Sequence, residues 1–223
     1  MKGKVYILIP AYNESKVISK VISDIKKQGF ENIIVIDDGS SDNTYEVAQK
    51  SGAKVLRHII NRGKGAAVKT GIEYAKLKNA SYVITIDGDG QHNPKDIRKI
   101  YEKLKEGYEV VLGSRFLNRK NKMPRFNRIA NFLANVLTFS IYELYVSDSQ
   151  SGFRGYNQKA INLIDIQSED YDFESRVIYE IARHKLKYCE VPIDVFYTEY
   201  SLSKTKKQNL INGIKTLMKM LMS

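Results

Sequence analysis

The chain contains very little cysteine and no long hydrophobic run. Cys189 is the only cysteine among 223 residues, which excludes an internal disulfide framework and a zinc cluster built from cysteines. No stretch approaches the roughly 20 consecutive apolar residues that a membrane-spanning helix needs. The first predicted strand begins too early for a signal peptide. We therefore expect a cytoplasmic protein, either soluble or attached peripherally to the cytoplasmic face of a membrane.

Acidic residues are missing from two segments in the second half of the chain. The whole chain has 36 basic and 25 acidic residues, a net charge of +11. No Asp or Glu occurs between Arg115 and Tyr142, or after Glu199, and in both segments basic residues lead into an apolar helical pattern. This combination suits an anionic membrane surface, and we expect no nucleic-acid partner. A basic membrane- or nucleic-acid-binding module without catalysis is the non-enzymatic alternative.

Apolar strand-like runs alternate with helical patterns along the first half of the chain. Strands are predicted at 5–9, 33–36, 54–56, 82–86 and 110–112, with helices between them. One of these helices is predicted to start with Ser41 or Asp42 as N-cap. The second half is predicted to contain a helix near 126–145, an irregular stretch at 147–158, a helix near 172–185, a strand near 188–196 and a terminal helix. Such alternation predicts a single α/β domain with a mostly parallel sheet.

Two carboxylates follow the fourth predicted strand, two residues apart. Asp87 and Asp89 lie with Gln91 in the sequence Asp-Gly-Asp-Gly-Gln-His, and the period of a strand places both carboxylates on one side. Ligands of open α/β sheets bind at the carboxyl edge, where this strand ends. These oxygen ligands suit Mg²⁺ or Mn²⁺, and such an ion would hold a diphosphate. An isolated Asp-x-Asp is usually a simple turn, but here other polar strand ends accompany it.

The first two predicted strands end at the same edge and carry residues suited to a nucleoside. The first strand is followed by Tyr12 and Glu14, and the second by Asp38. Tyr12 offers a flat apolar face to a base, and the two carboxylates can accept hydrogen bonds from ribose hydroxyls or base N–H groups. We therefore predict a nucleoside pocket here, while Asn13 and Ser41 are expected to cap helices.

A glycine-rich basic loop precedes the third predicted helix. It reads Asn-Arg-Gly-Lys-Gly at 61–65, so that backbone N–H groups, Arg62 and Lys64 can meet phosphate or sugar oxygens. It is not a GxxxxGK[ST] loop, because His58 stands where the first glycine is required. No GxGxxG follows the first strand, which argues against a dinucleotide-dependent oxidoreductase. A sugar nucleotidylyltransferase would need a glycine-rich basic loop directly after that strand, which this chain lacks.

Six motifs together resemble family 2 glycosyltransferases in their order. They are Pro-Ala-Tyr-Asn-Glu at 10–14, Asp-Asp-Gly-Ser-Ser-Asp at 37–42, Arg-Gly-Lys-Gly at 62–65, Asp-Gly-Asp-Gly-Gln-His at 87–92, Gly-Ser-Arg at 113–115 and Asp-Ser-Gln-Ser-Gly-Phe-Arg at 148–154. The chain most resembles the dolichyl-phosphate mannose synthase group, over nearly its whole length. The resemblance implies a GT-A fold with a mostly parallel, Rossmann-like sheet, and inversion at the anomeric carbon. It also implies one domain over 1–223, with a nucleotide-sugar-binding half at 1–115 and an acceptor-side half at 116–223.

The resemblance also implies roles for individual residues. Nucleotide-sugar binding is implied for Pro10, Tyr12, Glu14, Ile36, Asp38, Lys64, Asp87, Gly88, Asp89, Gln91, Arg115 and Lys204. Asp87, Asp89 and Gln91 would surround Mg²⁺ or Mn²⁺, and Arg115 would face the donor phosphates. The implied donor is GDP-mannose or UDP-glucose, and the implied acceptor is a polyprenyl phosphate such as dolichyl phosphate.

The segment after the last predicted strand departs from this pattern. In related polyprenyl-phosphate enzymes a Glu-Val-Pro-Ile strand is followed by an arginine, a glycine and then Ser-Lys. Here the same strand sequence at 190–193 is followed by Ser203 and Lys204 without the arginine. Lysine is a point charge and cannot supply the bidentate grip of arginine on phosphate. Transfer to a saccharide hydroxyl is therefore an alternative activity.

The acceptor decides whether the reaction needs a base. Cleavage of a sugar–diphosphate bond builds negative charge on the diphosphate, which a metal at Asp89 and the Arg115 guanidinium would stabilise. A phosphomonoester, with a second pKa of about 6, is already a nucleophile at neutral pH. A sugar hydroxyl needs a carboxylate, for which Asp148 is predicted first, followed by Asp172 and Glu174. The predicted catalytic residues are Asp89, Arg115 and Asp148.

Overall fold

A seven-stranded sheet forms the centre of the computed structural model, which describes residues 3–118, 121, 125–165 and 173–196. Its strands are β1 (Val5–Ala11), β2 (Ile33–Asp37), β3 (Lys54–Arg57), β4 (Tyr82–Thr85), β5 (Val110–Ser114), β6 (Arg154–Asn157) and β7 (Tyr188–Pro192). They lie in the order β3-β2-β1-β4-β6-β5-β7. β6 runs antiparallel to β4 and β5, and the other neighbouring pairs are parallel. The predicted α/β class and mostly parallel sheet are confirmed.

Helices cover both faces of this sheet. They are α1 (Ile18–Lys26), α2 (Thr44–Lys50), α3 (Lys64–Leu77), α4 (Ile97–Lys105), α5 (Arg125–Tyr142), α6 (Gln158–Leu163) and α7 (Phe173–Arg183). The helices α1, α2 and α4 share one hydrophobic core with the sheet, and α3, α6 and α7 share the other. Within these described ranges, no helix is long and apolar enough to cross a bilayer.

Successive residues of the inner strands point to opposite cores. In β1, Ile7 and Ile9 face the core of α1, and Leu8 faces the core of α3; all three are completely buried. Each such side chain contributes about 1.5–3 kcal/mol when it is buried. Helix α3 lies very close to the sheet. A Cβ on Gly71 of this helix would lie only 2.8 Å from Ile36 Cδ1 of β2. This close packing sets the position of the first turn of α3, which carries Lys64.

The prediction of an irregular stretch at 147–158 was wrong for its last part. All four residues of β6 pair with β4, and three of them also pair with β5; Arg154, for example, lies opposite Thr85 of β4 and Leu112 of β5. The sequence Arg-Gly-Tyr-Asn has neither apolar alternation nor strong strand propensity, so local pattern gave no signal. The gap between β4 and β5 makes this segment a strand, because both neighbours offer unpaired backbone groups to it.

Helix boundaries also differ from the predictions in detail. Helix α2 begins at Thr44 with Asn43 as N-cap, later than the predicted Ser41 or Asp42. Asp42 instead accepts a hydrogen bond from the Thr44 amide at 3.0 Å. The strand predicted at 188–196 ends at Pro192, beyond which Val195 forms an isolated bridge with His92. The predicted terminal helix lies outside the described residues.

Candidate active site

The ends of β1, β2 and β4 meet at one edge of the sheet. The Asp38 amide, after β2, donates a hydrogen bond to the Ala11 carbonyl of β1 at 2.9 Å. A Cβ on Gly88 would lie 3.1 Å from the Pro10 carbonyl oxygen, so the Asp-Gly-Asp loop after β4 packs directly against the end of β1. The polar strand ends are therefore neighbours, as the sequence predicted.

Lys64 connects two carboxylates at this edge. Its Nζ lies 2.7 Å from Asp87 Oδ1 and 2.9 Å from Glu174 Oε1. Burial by itself would lower the pKa of Lys64, but the charges of Asp87 and Glu174 outweigh this effect and raise it above its usual range. Burial opposes ionisation of Asp87 as well, and the Lys64 ammonium still holds the pKa of Asp87 well below its usual range. Glu174, predicted as a reserve base, is therefore one partner of a charged network.

Asp89 carries the second charge of the Asp-x-Asp loop, and nearby positive charge balances it less well than it balances Asp87. Burial, together with the negative charge of Asp87, raises the pKa of Asp89. Its Oδ1 accepts a hydrogen bond from the Gln91 amide at 3.0 Å. The loop thus holds two adjacent carboxylates that repel each other, a cost that a bound cation would relieve.

These side chains fit a hard divalent cation. No group of three or more His, Cys, Asp or Glu side chains in the described part of the chain could hold a metal by itself. Mg²⁺, however, is commonly bound by one or two carboxylates and completes its shell with waters and substrate phosphates. Asp87 and Asp89 match this mode of binding, and the donor diphosphate would complete the site. The Gln91 side chain stays a predicted ligand.

His92 lies beside Asp87 of the predicted metal loop. The sequence predicted no role for this histidine. Its Nε2 lies 3.3 Å from Asp87 Oδ2, and its ring packs against Phe153 with centroids 5.2 Å apart. The imidazole is buried. With Lys64 on one oxygen of Asp87 and His92 facing the other, the orientation of this carboxylate is fixed from both sides. The adjacent Gln-His pair in the motif was the available signal.

Asp38 organises the basic loop that leads into α3. Its Oδ1 accepts hydrogen bonds from the Arg62 amide at 3.0 Å and faces His58 Nδ1 at 2.7 Å, while its Oδ2 accepts from the Gly63 amide at 2.8 Å. His58 Nε2 in turn lies 2.9 Å from Thr70 Oγ1 on α3. Asp38 thus sets the entry into α3, and its contact with a nucleoside stays a prediction.

The other predicted nucleoside residues lie on β1 and β2 and in the loop after β1. The Tyr12 side chain is 42% exposed and Glu14 is buried. Ile36 is completely buried in the core, so a contact with the nucleoside would have to come from its main chain. Asn13, expected to cap a helix, instead adopts φ +56° and accepts a hydrogen bond from the Ser41 amide at 2.9 Å. This bond joins the loops after β1 and β2.

Arg115 and Asp148 form a bidentate ion pair. Arg115 Nε donates to Asp148 Oδ2 and Nη2 donates to Oδ1, both at 2.7 Å, and the Arg115 amide donates to Oδ2 at 3.0 Å. Asp148 is completely buried, whereas the Arg115 side chain keeps 22% of its surface exposed. Both carboxylate oxygens are engaged, so action as a base would require one of these bonds to be given up. The geometry favours Asp148 as a positioning residue for Arg115.

Arg154, the last residue of the motif at 148–154, holds the loop that precedes it. The sequence predicted no role for this arginine. Arg154 is completely buried and donates to the carbonyls of Ser149, Ser151 and Glu174, each at 2.8 Å. It therefore ties the loop after Asp148 to the first turn of α7. Its position inside a short segment with no apolar pattern gave no signal of burial. Lys204 and Asp172, also predicted for the site, lie outside the described residues.

An α/β sheet with an Asp-x-Asp loop and basic side chains at its carboxyl edge is typical of enzymes that act on nucleotide-linked substrates. The chain belongs to glycosyl transferase family 2, whose sequence model matches residues 6–164. It is therefore a glycosyltransferase, as its motifs predicted.

Relatives of the chain match nearly its whole length. A protein of uncharacterised function from Methanocaldococcus jannaschii is 43% identical, over 99% of this chain and 92% of that protein. A UDP-N-acetylglucosamine–dolichyl-phosphate N-acetylglucosaminyltransferase from Methanococcus voltae is 34% identical, over 98% of this chain and 95% of that enzyme. Among solved structures, glucosyl-3-phosphoglycerate synthase from Mycobacterium tuberculosis, in complex with Mn²⁺, UDP and glucosyl-3-phosphoglycerate, superposes with a TM-score of 0.73 at 20% identity, covering 98% of this chain and 80% of that one. This likeness confirms the predicted GT-A fold.

Proposed function

We propose that the protein transfers a sugar from a nucleotide diphosphate sugar to a polyprenyl phosphate, with a divalent cation at Asp87, Asp89 and Gln91. The observation that carries the proposal is the pair of carboxylates at the carboxyl edge with the Lys64 ammonium beside them. Anionic and cationic groups side by side suit a metal-bound diphosphate. The relative from Methanococcus voltae, which is named for transfer to dolichyl phosphate, supports the acceptor class.

A UDP-linked sugar is the proposed donor, in preference to GDP-mannose. The relative just mentioned is named for UDP-N-acetylglucosamine, and the structural neighbour was solved with UDP and Mn²⁺. UDP-glucose, implied by the motifs, and UDP-N-acetylglucosamine are the two leading candidates. In this proposal the Tyr12 ring meets the base, and Glu14 accepts hydrogen bonds from the ribose or the base.

The chain's own residues would lower the barrier mainly by stabilising charge. A bound divalent ion would supply Lewis-acid stabilisation of the leaving diphosphate. Lys64 and Arg115 would add fixed positive charge around the phosphates, and Asp148 would keep the Arg115 guanidinium in place. An acceptor phosphate oxygen is already anionic, so it can attack the anomeric carbon from the face opposite the diphosphate without loss of a proton. Asp148 then needs no role as a base.

A panel of nucleotide sugars tests the proposed activity. The full chain is incubated with UDP-glucose, UDP-N-acetylglucosamine or GDP-mannose, with and without polyprenyl phosphate, and release of nucleotide diphosphate is measured. We expect release with a UDP sugar that requires both Mn²⁺ or Mg²⁺ and the polyprenyl phosphate. Release that persists with EDTA would contradict the metal, and release that requires a saccharide in place of the lipid would move the acceptor to a sugar hydroxyl.

Removal of either carboxylate of the proposed nucleoside pocket is expected to weaken nucleotide binding. Glu14→Ala and Asp38→Ala should each cost about 1–3 kcal/mol of binding free energy, as expected when a hydrogen bond to a charged group is lost. Asp38→Ala should also loosen the loop before Lys64. Calorimetry with UDP and GDP measures the effect, and Glu31→Ala, an exposed carboxylate at the opposite end of the sheet, is the control. Unchanged affinity for both nucleotides would remove the pocket.

Helix α5 presents apolar side chains to solvent and polar side chains to the protein. Phe132 is 64% exposed and Phe139 51%, whereas Asn131 and Thr138 are buried. The exposed apolar side chains are Ile129, Phe132, Leu133, Val136, Phe139 and Ile141. An anionic membrane surface is the proposed occupant of this face, because the acid-free basic run at 115–128 adjoins it and each Lys or Arg contributes about 1 kcal/mol near an anionic leaflet. The proposed location is therefore peripheral, on the cytoplasmic face of the membrane.

Charges placed on this helix face are expected to abolish membrane binding. A buried Phe contributes about 1.5–3 kcal/mol, so Phe132→Asp combined with Phe139→Asp should lower partition into anionic vesicles by at least about 100-fold. Both side chains are exposed, so the fold should persist. Co-sedimentation with anionic and neutral vesicles measures binding, and Leu77→Asp, at an 80% exposed position on α3, is the control. A wild-type protein that binds neither vesicle would favour a soluble saccharide acceptor.

A further inference from the structure

Glu174 contributes a carboxylate to the donor site from a distant part of the chain. Its Oε1 lies 2.9 Å from Lys64 Nζ, which also lies 2.7 Å from Asp87 Oδ1. Glu174 is buried, at the start of α7. A carboxylate at the first turn of a helix interacts favourably with the helix macrodipole. This interaction explains why an acidic residue is favourable at the start of α7, but not why Glu174 contacts Lys64.

Glu174 offsets the charge of Lys64, which leaves the charges of Asp87 and Asp89 for a divalent cation. Asp87, Asp89 and Glu174 carry three negative charges when ionised, and Lys64 carries one positive charge, which leaves a net charge of −2. If Glu174 were absent, the Lys64 ammonium would have Asp87 as its remaining carboxylate partner in this network. The ammonium would then compete directly with a metal ion for the same oxygen, because both cations need the charge of Asp87.

The backbone holds Glu174 and Lys64 in a fixed relation. The Glu174 carbonyl accepts a hydrogen bond from Arg154 Nη1 at 2.8 Å, and the same buried guanidinium is bound to the loop at 149–151. Next in that loop is Gly152, where a Cβ would collide with Lys64 Nζ and lie 2.8 Å from Asp87 Oδ1. The Gly152 carbonyl is in turn held by Thr85 Oγ1 at 2.7 Å. The contacts of Arg154, Gly152 and Thr85 therefore confine the lysine between the two carboxylates.

We propose that Glu174 is a positioning residue. It holds the Lys64 ammonium in place by its ion pair when Asp87 binds a metal ion. With Glu174 present, Lys64 keeps a carboxylate partner while a cation binds at Asp87 and Asp89, so the lysine stays beside the donor diphosphate instead of blocking the metal. This inference rests on the proposed function and adds a residue to its donor site.

A double-mutant cycle on Mn²⁺ affinity tests this role. The apparent Kd for Mn²⁺ is measured by electron paramagnetic resonance on the full chain, with a fixed concentration of UDP and no acceptor. We expect Glu174→Gln to raise this Kd about tenfold or more, the size of a lost charge-assisted hydrogen bond. In the Lys64→Met background the same substitution should change the Kd less than about twofold, because its effect acts through Lys64.

Further variants separate positioning from simple charge. Glu174→Asp keeps the charge but shortens the side chain by one methylene, and it should also raise the Kd. Glu73→Gln, an equal loss of charge on the exposed surface of α3, should leave the Kd unchanged. Equal effects of Glu174→Gln in both backgrounds, or a wild-type Kd in Glu174→Gln or Glu174→Asp, would overturn the inference alone. Mn²⁺ binding that is absent from the wild type, or unaffected by Asp89→Asn, would overturn the proposed metal site and the inference with it.

Discussion

Replacing Asp89 by asparagine is expected to lower sugar transfer by at least about 1,000-fold, which corresponds to about 4 kcal/mol of transition-state stabilisation. The Asp89 side chain follows a strand end and accepts a hydrogen bond from the Gln91 main-chain amide, which an asparagine oxygen can also accept. The substitution therefore removes one charge of the proposed metal site and little packing. Initial rates of nucleotide diphosphate release with Mn²⁺ measure the loss.

The matched control for this variant is Asp24→Asn on α1. Asp24 pairs with Lys20 and Lys27 on the surface, and such exposed pairs contribute little. The control should keep wild-type turnover, and both variants should have the wild-type circular dichroism spectrum. An Asp89→Asn protein with near wild-type turnover would show that the metal assignment is wrong.

Replacing Arg154 by methionine is expected to destabilise the fold by about 4 kcal/mol or more. The substitution leaves the carbonyls of Ser149, Ser151 and Glu174 without their buried donor, and each unsatisfied group costs about 1–3 kcal/mol. Methionine fills much of the space, so the loss comes mainly from hydrogen bonding. For a domain of this size, about 2–4 °C of melting temperature corresponds to each kcal/mol, so a decrease of about 10 °C is expected in thermal unfolding.

Arg98→Met on α4 provides the comparison, because Arg98 is exposed and its loss should change stability by less than about 0.5 kcal/mol. The same unfolding experiment, repeated with urea, gives both free energies. A stability of Arg154→Met equal to that of the control would mean that the loop at 149–151 and the first turn of α7 are held by other contacts.

The sequence predicted which residues would gather at the carboxyl edge of the sheet, but not how they bond to one another. Asp87, Asp89 and Lys64 were predicted together because each follows a strand or opens a helix at the same edge. The contact of Asp38 with the loop before α3 was not foreseen, nor was the pairing of Asp148 with Arg115. Asp38 was interpreted as a nucleoside ligand and Asp148 as a base. A motif contains the same carboxylate whether that group contacts a substrate or a neighbouring loop, so the sequence cannot distinguish the two.

By itself, the sequence determined the α/β class, most strand positions and the edge at which the site lies. These features follow from local periodicity and strand-end chemistry, which a short window of residues contains, and from the order of the motifs along the chain. The tertiary structure alone decided that residues 154–157 complete the sheet as β6, and that Glu174 meets Lys64. Those contacts join segments far apart in the chain. They depend on how helices and strands pack, and no local pattern specifies the distance between two such side chains.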